Sequence, residues 1–124
     1  MKLLVVDDDP EMLLMAAFLL ERDGRFQVIR ALGGAAALES ARSHRPHAVL
    51  SDFRMAGLDG MGLLEGVRAE KGMENTPFIF CSGKREEMLR KSIGSARLSG
   101  FIAKPFNPET LADEVFGLLK GRAA

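Results

Sequence analysis

The sequence has a single cysteine, no tryptophan or tyrosine, and no excess of either charge, since 17 Lys and Arg balance 17 Asp and Glu over 124 residues. A lone cysteine excludes an internal disulfide framework. Zero formal charge disfavours a nucleic-acid binder that relies on a basic surface. No apolar stretch reaches membrane-spanning length, and the run that follows Lys2 stops at Asp7. We therefore expect a soluble cytoplasmic protein in which residues 1–124 form one domain.

Short apolar runs alternate with segments of helical periodicity along the whole chain. The apolar runs predict strands over Leu3–Val6, Phe26–Ile29, Ala48–Ser51, Phe78–Cys81 and Gly100–Ala103. The intervening segments predict helices from Pro10 to Leu20, from Gly34 to His44, from Met61 to Glu70, over residues 84 to 95, and from Asn107 to Leu119. Strict alternation, with strands that are apolar on both faces, predicts an α/β fold with a doubly wound, five-stranded parallel sheet.

Polar side chains follow four of the five predicted strands directly. Three aspartates follow the first strand, Asp52 the third, Ser82 the fourth and Lys104 the fifth. Each alone has a common structural explanation; for example, Asp9, which precedes a proline, has the pattern of a helix N-cap. Because the carboxyl ends of parallel strands meet at one edge, where such sheets bind ligands, their coincidence predicts a functional site.

The charge balance of this edge predicts a divalent cation. Asp7, Asp8 and Asp52 would bring about three negative charges together, and like charges that close raise one another's pKa unless cations intervene. Lys104 supplies one positive charge. All-oxygen ligands with open positions suit Mg²⁺. We expect no zinc site, because the two histidines flank a proline at the opposite edge and the cysteine lies within a strand.

Four motifs, in order along essentially the whole chain, resemble the response regulator receiver domain of two-component signalling. They are Leu-Val-Val-Asp-Asp-Asp-Pro at the start, Asp-Phe-Arg-Met-Ala-Gly-Leu-Asp-Gly from Asp52, Ser82, and Lys-Pro-Phe from Lys104. The resemblance implies a flavodoxin-like (βα)5 fold with strand order 2-1-3-4-5. It also implies Mg²⁺ as the cofactor.

The resemblance implies a role for each matching residue. Asp52 would be the phosphoacceptor and, with Asp8, a direct Mg²⁺ ligand, while Asp7 would act through a water molecule. Arg54 would offer the metal its backbone carbonyl. The remaining implied roles are phosphoryl contact by Lys104 and Ser82, an inward turn of Phe101 on activation, and a cis peptide bond before Pro105.

The implied activity is a phosphorylation switch rather than conventional enzymatic turnover. A histidine kinase or a histidine phosphotransfer protein would donate the phosphoryl group, and intrinsic autodephosphorylation would remove it. The changed face, formed by the fifth strand, the last helix and the helix predicted over residues 84 to 95, would signal to a downstream protein target. Alternatively, the domain would pass the phosphate on in a phosphorelay. We expect no direct contact with nucleic acid and no membrane insertion.

Several positions depart from the family pattern. Ala56 stands where proline is usual and Gly83 where alanine is common. Arg54 and Lys84 occupy positions that tune the lifetime of the phosphorylated state, so we hypothesise that they alter access of water to the acyl phosphate. Ser99 and its neighbouring glycine replace acids found in regulators that dimerise through this face, which favours a monomer.

Two other functions remain open from the residues. A haloacid-dehalogenase-like phosphatase would use Asp7 as nucleophile and Asp9 as acid/base, and a pseudo-receiver would be an interaction module that takes no phosphate. Within the receiver interpretation, the initial Met1 and the end of the chain just after the last predicted helix favour a stand-alone protein, without an output domain, over an excised piece.

Overall fold

A five-stranded parallel sheet organises the computed structural model, which describes residues 1–83 and 99–123. The strands are β1 (Lys2–Asp7), β2 (Gln27–Leu32), β3 (Ala48–Asp52), β4 (Phe78–Ser82) and β5 (Gly100–Ala103). The helices within the described ranges are α1 (Pro10–Glu21), α2 (Gly34–His44), α3 (Gly60–Ala69) and the C-terminal helix (Leu111–Ala123). The strand order is β2-β1-β3-β4-β5 with every pairing parallel, so the predicted fold class and order are confirmed.

Two apolar cores lie on opposite faces of the sheet. Successive side chains of a strand point to opposite faces, so Leu3 and Val5 of β1 belong to one core and Leu4 and Val6 to the other. The first core is covered by α1 and the C-terminal helix, and the second by α2 and α3. The continuous apolar runs of the central strands are thus explained by burial on both faces.

Helix starts follow the capping rules. The side chain of Asp9 accepts a hydrogen bond from the backbone N–H of Glu11 at 3.0 Å, and Pro10 occupies the first turn. The predicted N-cap of α1 is therefore confirmed. Asp59 caps α3 in the same way, accepting from the N–H of Gly62 at 2.9 Å.

Most predicted boundaries lie within one residue of the observed ones, but those of the second strand and the last helix differ by more. Strand β2 ends at Leu32 rather than Ile29, because its pairing with β1 continues past the apolar run to the partners Asp7 and Leu32. The last helix begins at Leu111 rather than Asn107. The Asn107 side chain accepts from the N–H of Glu109 at 3.0 Å and its carbonyl from Thr110 at 3.1 Å, which makes a tight turn ahead of the helix. The helix predicted over residues 84 to 95 lies outside the described residues.

Helix α1 also presents apolar side chains to solvent. Leu14 and Phe18 are one turn apart and each is 58% exposed. Arg22, one further turn along, lies over the Phe18 ring at 5.6 Å from its centroid. Even so, none of the helices in the described ranges combines the length and the apolarity that crossing a membrane would require.

Candidate functional site

The carboxyl ends of the strands gather the residues singled out from the sequence. Asp7 ends β1, Asp52 ends β3 and Ser82 ends β4, while Lys104 directly follows β5. Asp7, Asp8 and Asp52 can each offer a carboxylate oxygen, and these oxygens lie within 4.8 Å of one another. The described part of the chain therefore holds one compact acidic cluster at this edge of the sheet.

Lys104 bridges two members of the cluster. Its Nζ lies 2.8 Å from Oδ2 of Asp7 and 3.3 Å from Oδ1 of Asp52. The three side chains are largely shielded, with exposed fractions of 17% for Lys104, 7% for Asp7 and 13% for Asp52. The backbone N–H of Lys104 donates to the carbonyl of Ser82 at 2.9 Å, and the peptide bond to Pro105 is cis. Lys104 is thus fixed by its backbone as well as by its charge.

Among the side chains that the structure describes, negative charge exceeds positive charge at the site. Burial raises the pKa of Asp52, Lys104 opposes that rise, and the charges of Asp7 and Asp8 add to it, so the net direction is upward. Burial by itself would lower the pKa of Lys104, but the hydrogen bond to Asp7 and the charge of Asp52 outweigh it and raise that pKa. Within residues 1–83 and 99–123, one ammonium thus accompanies three carboxylates, and a hard divalent cation with oxygen ligands fits the donor set.

The loop between β3 and α3 contacts the acidic cluster. Asp8 is exposed, and its Oδ2 accepts a hydrogen bond from the backbone N–H of Ala56 at 3.1 Å. At the end of the loop, Gly60 packs so closely that a Cβ there would lie 2.8 Å from the carbonyl oxygens of Asp52 and Phe53. A side chain at position 60 would therefore displace the backbone that carries Asp52.

The other predicted site residues surround this cluster at different depths. Ser82 is 4% exposed and therefore buried. Phe101 is half-buried and packs against the core on the α2 and α3 face. Arg54 is exposed to solvent, and Lys84 lies outside the described residues.

The two histidines lie away from the site, whereas Cys81 pairs with Asp52 in the sheet and lies beside it. His44 and His47 are exposed at the opposite edge, where Nδ1 of His47 accepts from the N–H of Lys2 at 2.8 Å. Cys81 is buried and unpaired by disulfide, and burial strongly raises the pKa of its thiol. In the described part of the chain, the residues grouped so that they could hold a metal ion are Asp7, Asp8 and Asp52.

Sequence reasoning did not identify the Ala56 amide or Gly60 as parts of the site. Residue type does not single out the amide, because every residue except proline has a backbone N–H. Gly60 was visible as the end of the Asp-Gly pair after the loop, and a glycine there was the available hint of close backbone approach.

A doubly wound parallel sheet with carboxylates and one lysine at its carboxyl edge defines a class of α/β domains that bind charged groups at that edge. The model of the response regulator receiver domain family matches residues 3–116. The chain belongs to this family, as its motifs predicted. Receiver domains are signalling modules of two-component systems, where they occur with histidine kinases, and are not conventional enzymes.

Curated relatives show the same module in proteins of different length. A "probable chemotaxis protein CheY" of Rhizobium etli is 30% identical over 96% of this chain and 95% of its own length. Response regulator Rre1 of Synechocystis is 30% identical over 98% of this chain and 53% of its own. Hybrid signal transduction histidine kinase D of Dictyostelium discoideum is 30% identical over 98% of this chain, which spans 8% of that kinase.

Solved structures agree on the fold. Chemotaxis response regulator CheY4 of Vibrio cholerae has a TM-score of 0.86 and 27% identity, with 94% of this chain and 97% of that chain covered. The receiver domain of hybrid histidine kinase CckA has a TM-score of 0.77 and 30% identity, with coverage of 96% and 99%.

Proposed function

We propose that this domain accepts a phosphoryl group on Asp52, in a Mg²⁺-dependent reaction, from a histidine kinase or a histidine phosphotransfer protein in the cytoplasm. The observation that carries the proposal is the position of the Asp52 carboxylate, 3.3 Å from Lys104 and within the acidic cluster at the end of β3. Residues 1–124 would act as one receiver unit. Family membership supports the same role.

In the proposed reaction, a carboxylate oxygen of Asp52 attacks the phosphorus of a phosphohistidine. The nitrogen–phosphorus bond breaks, the imidazole leaves with the electron pair, and Asp52 becomes an acyl phosphate. Lys104 holds an ammonium where charge collects on the phosphoryl oxygens, which is the main need of phosphoryl transfer. Mg²⁺, when bound, supplies further positive charge to those oxygens. Asp8 and Asp52 would hold it directly, with Asp7 acting through water and Arg54 through its carbonyl.

The same charge change would drive the switch. Phosphorylation increases the negative charge at position 52 from about one to about two elementary charges and adds three acceptor oxygens. Lys104 would turn from Asp7 and Asp52 to the new oxygens, and Ser82 would hydrogen-bond one of them. Movement of Ser82 would make room for Phe101, so that the face of β5 and the C-terminal helix changes for a downstream protein target. A phosphorelay would use the same acyl phosphate as the donor for a further histidine.

The geometry gives the phosphatase alternative no support at Asp9. Its carboxylate is occupied as the N-cap of α1 and its side chain is exposed. An acid/base residue that works with Asp7 would need a free carboxyl group that faces the substrate, and the carboxylate of Asp9 is bonded to the start of α1. Both oxygens of Asp7 are engaged, Oδ1 by the backbone N–H of Asp9 at 3.0 Å and Oδ2 by Lys104 at 2.8 Å, which favours Asp52 as the nucleophile.

A labelled small phosphodonor, such as acetyl phosphate, tests the assignment. With Mg²⁺, wild-type protein should become labelled, Asp52→Asn should lose the label, and Asp7→Asn should retain a weakened signal. Asp59→Asn is the matched control, because asparagine caps a helix as well as aspartate. Label that survives Asp52→Asn and disappears with Asp7→Asn would favour the phosphatase-like nucleophile. No label and no Mg²⁺ binding near millimolar concentration would favour a pseudo-receiver.

A further inference from the structure

One hydrogen bond joins the acidic cluster to the loop between β3 and α3. Asp8 Oδ2 accepts from the backbone N–H of Ala56, 48 positions along the chain, at 3.1 Å. Among the described residues this amide is the hydrogen-bond donor that the structure gives to Asp8. Its neighbour Asp7 is held differently, by the ammonium of Lys104 at 2.8 Å.

The hydrogen bond constrains an otherwise mobile ligand. Asp8 is exposed, so its carboxylate would sample several rotamers in water, and ordering it on metal binding would cost side-chain entropy. A hydrogen bond from an amide to a carboxylate is charge-assisted and fixes the direction of the group. With Oδ2 engaged by the amide, Oδ1 stays available to a cation.

The loop can hold the amide in place because both of its ends are anchored. Met55, which directly precedes the donor, is buried with 8% exposure. The N–H of Gly60 donates to the carbonyl of Phe53 at 3.0 Å, and the N–H of Phe53 donates to the carbonyl of Cys81 at 2.9 Å. The donor therefore lies between hydrogen-bonded loop ends, in the kind of position from which a group can orient a metal ligand.

We propose that the Ala56 amide is a positioning group for Asp8, which holds this carboxylate ready to bind Mg²⁺ and couples metal binding to the loop from 53 to 59. The proposal rests on the Mg²⁺ site of the proposed function. A proline at position 56 would lack the donor, because proline has no backbone N–H. In this proposal, the replacement of the family's usual proline by Ala56 therefore supplies a functional group.

Mg²⁺ affinity, measured by calorimetry without any phosphodonor, tests this role. Ala56→Pro should weaken Mg²⁺ binding by roughly tenfold, the scale reported for removal of groups that orient metal ligands. Ala56→Gly keeps the N–H and should bind Mg²⁺ within about twofold of wild type. An amide-to-ester replacement between Met55 and Ala56 removes the donor without the proline ring and should weaken binding as Ala56→Pro does.

Hydrogen exchange at the Ala56 amide gives a second readout. Exchange should be slow in wild type, slow in Asp52→Asn, and fast in Asp8→Ala. Equal Mg²⁺ affinity of the ester variant and wild type would overturn the proposal. An exchange rate at the Ala56 amide that is the same in Asp8→Ala as in wild type would also overturn it. Wild-type protein that takes no phosphoryl group, but loses Mg²⁺ affinity in the ester variant, would instead overturn the proposed function and leave this positioning role standing.

Discussion

Replacing Lys104 by methionine removes the ammonium that, among the described residues, contacts the acidic cluster, while the volume of the side chain is nearly retained. At an effective dielectric of about 20, charges separated by 2.8 Å and 3.3 Å attract by about 5 to 6 kcal/mol each. The desolvation of Lys104 on burial offsets part of that attraction. Breaking buried pairs costs about 3–5 kcal/mol in practice. Because the three side chains keep some exposure, we expect the lower end, a loss of about 3 kcal/mol in the free energy of unfolding.

The assay is thermal unfolding followed by circular dichroism at neutral pH, low salt and no Mg²⁺. A loss of about 3 kcal/mol corresponds to a fall of about 10 °C in Tm for a domain of this size. Mg²⁺ should recover part of the loss, since it neutralises the carboxylates left without Lys104. Lys120→Met, at an exposed position of the C-terminal helix, is the control and should change the free energy by no more than about 0.5 kcal/mol. A Lys104→Met variant as stable as this control would refute the electrostatic reasoning.

Two further predictions concern stability. Asp52→Asn should stabilise the folded domain at neutral pH, because the raised pKa of Asp52 means that folding disfavours its ionised form. This gain in the free energy of unfolding should shrink as pH falls and vanish below the unfolded pKa of about 3.9. Urea unfolding at several pH values measures it, and a constant or negative gain would contradict the prediction. Gly60→Ala should cost about 1–3 kcal/mol, because a Cβ would lie 2.8 Å from the carbonyl oxygens of Asp52 and Phe53. Gly117→Ala, with open space around it in a helix, should gain up to about 1 kcal/mol, and equal effects of the two substitutions would rule out the steric explanation.

The sequence predicted the sheet and the edge of the site because both follow from short-range patterns. Apolar runs that end in Asp7, Asp52 and Ser82 mark strand ends, and parallel pairing then brings those ends together without further information. The extension of β2 to Leu32 escaped prediction, since backbone pairing with β1 rather than side-chain polarity decides where an edge strand stops.

The loop over the site was the part least accessible to sequence reasoning. The bond from the Ala56 amide to Asp8 joins distant segments through a backbone group. The packing of Gly60 against the chain near Asp52 likewise depends on how α3 enters the structure. Contacts of this kind are set by tertiary geometry, which no local pattern of residue types encodes.

The most direct test of the account is the location of the phosphoryl group. Protein phosphorylated by acetyl phosphate with Mg²⁺ should be treated with borohydride, which reduces an acyl phosphate to an alcohol, and then be sequenced by tandem mass spectrometry. The account predicts homoserine at position 52, with Asp7, Asp8 and Asp9 unchanged. Reduction at Asp7 in place of Asp52 would contradict it.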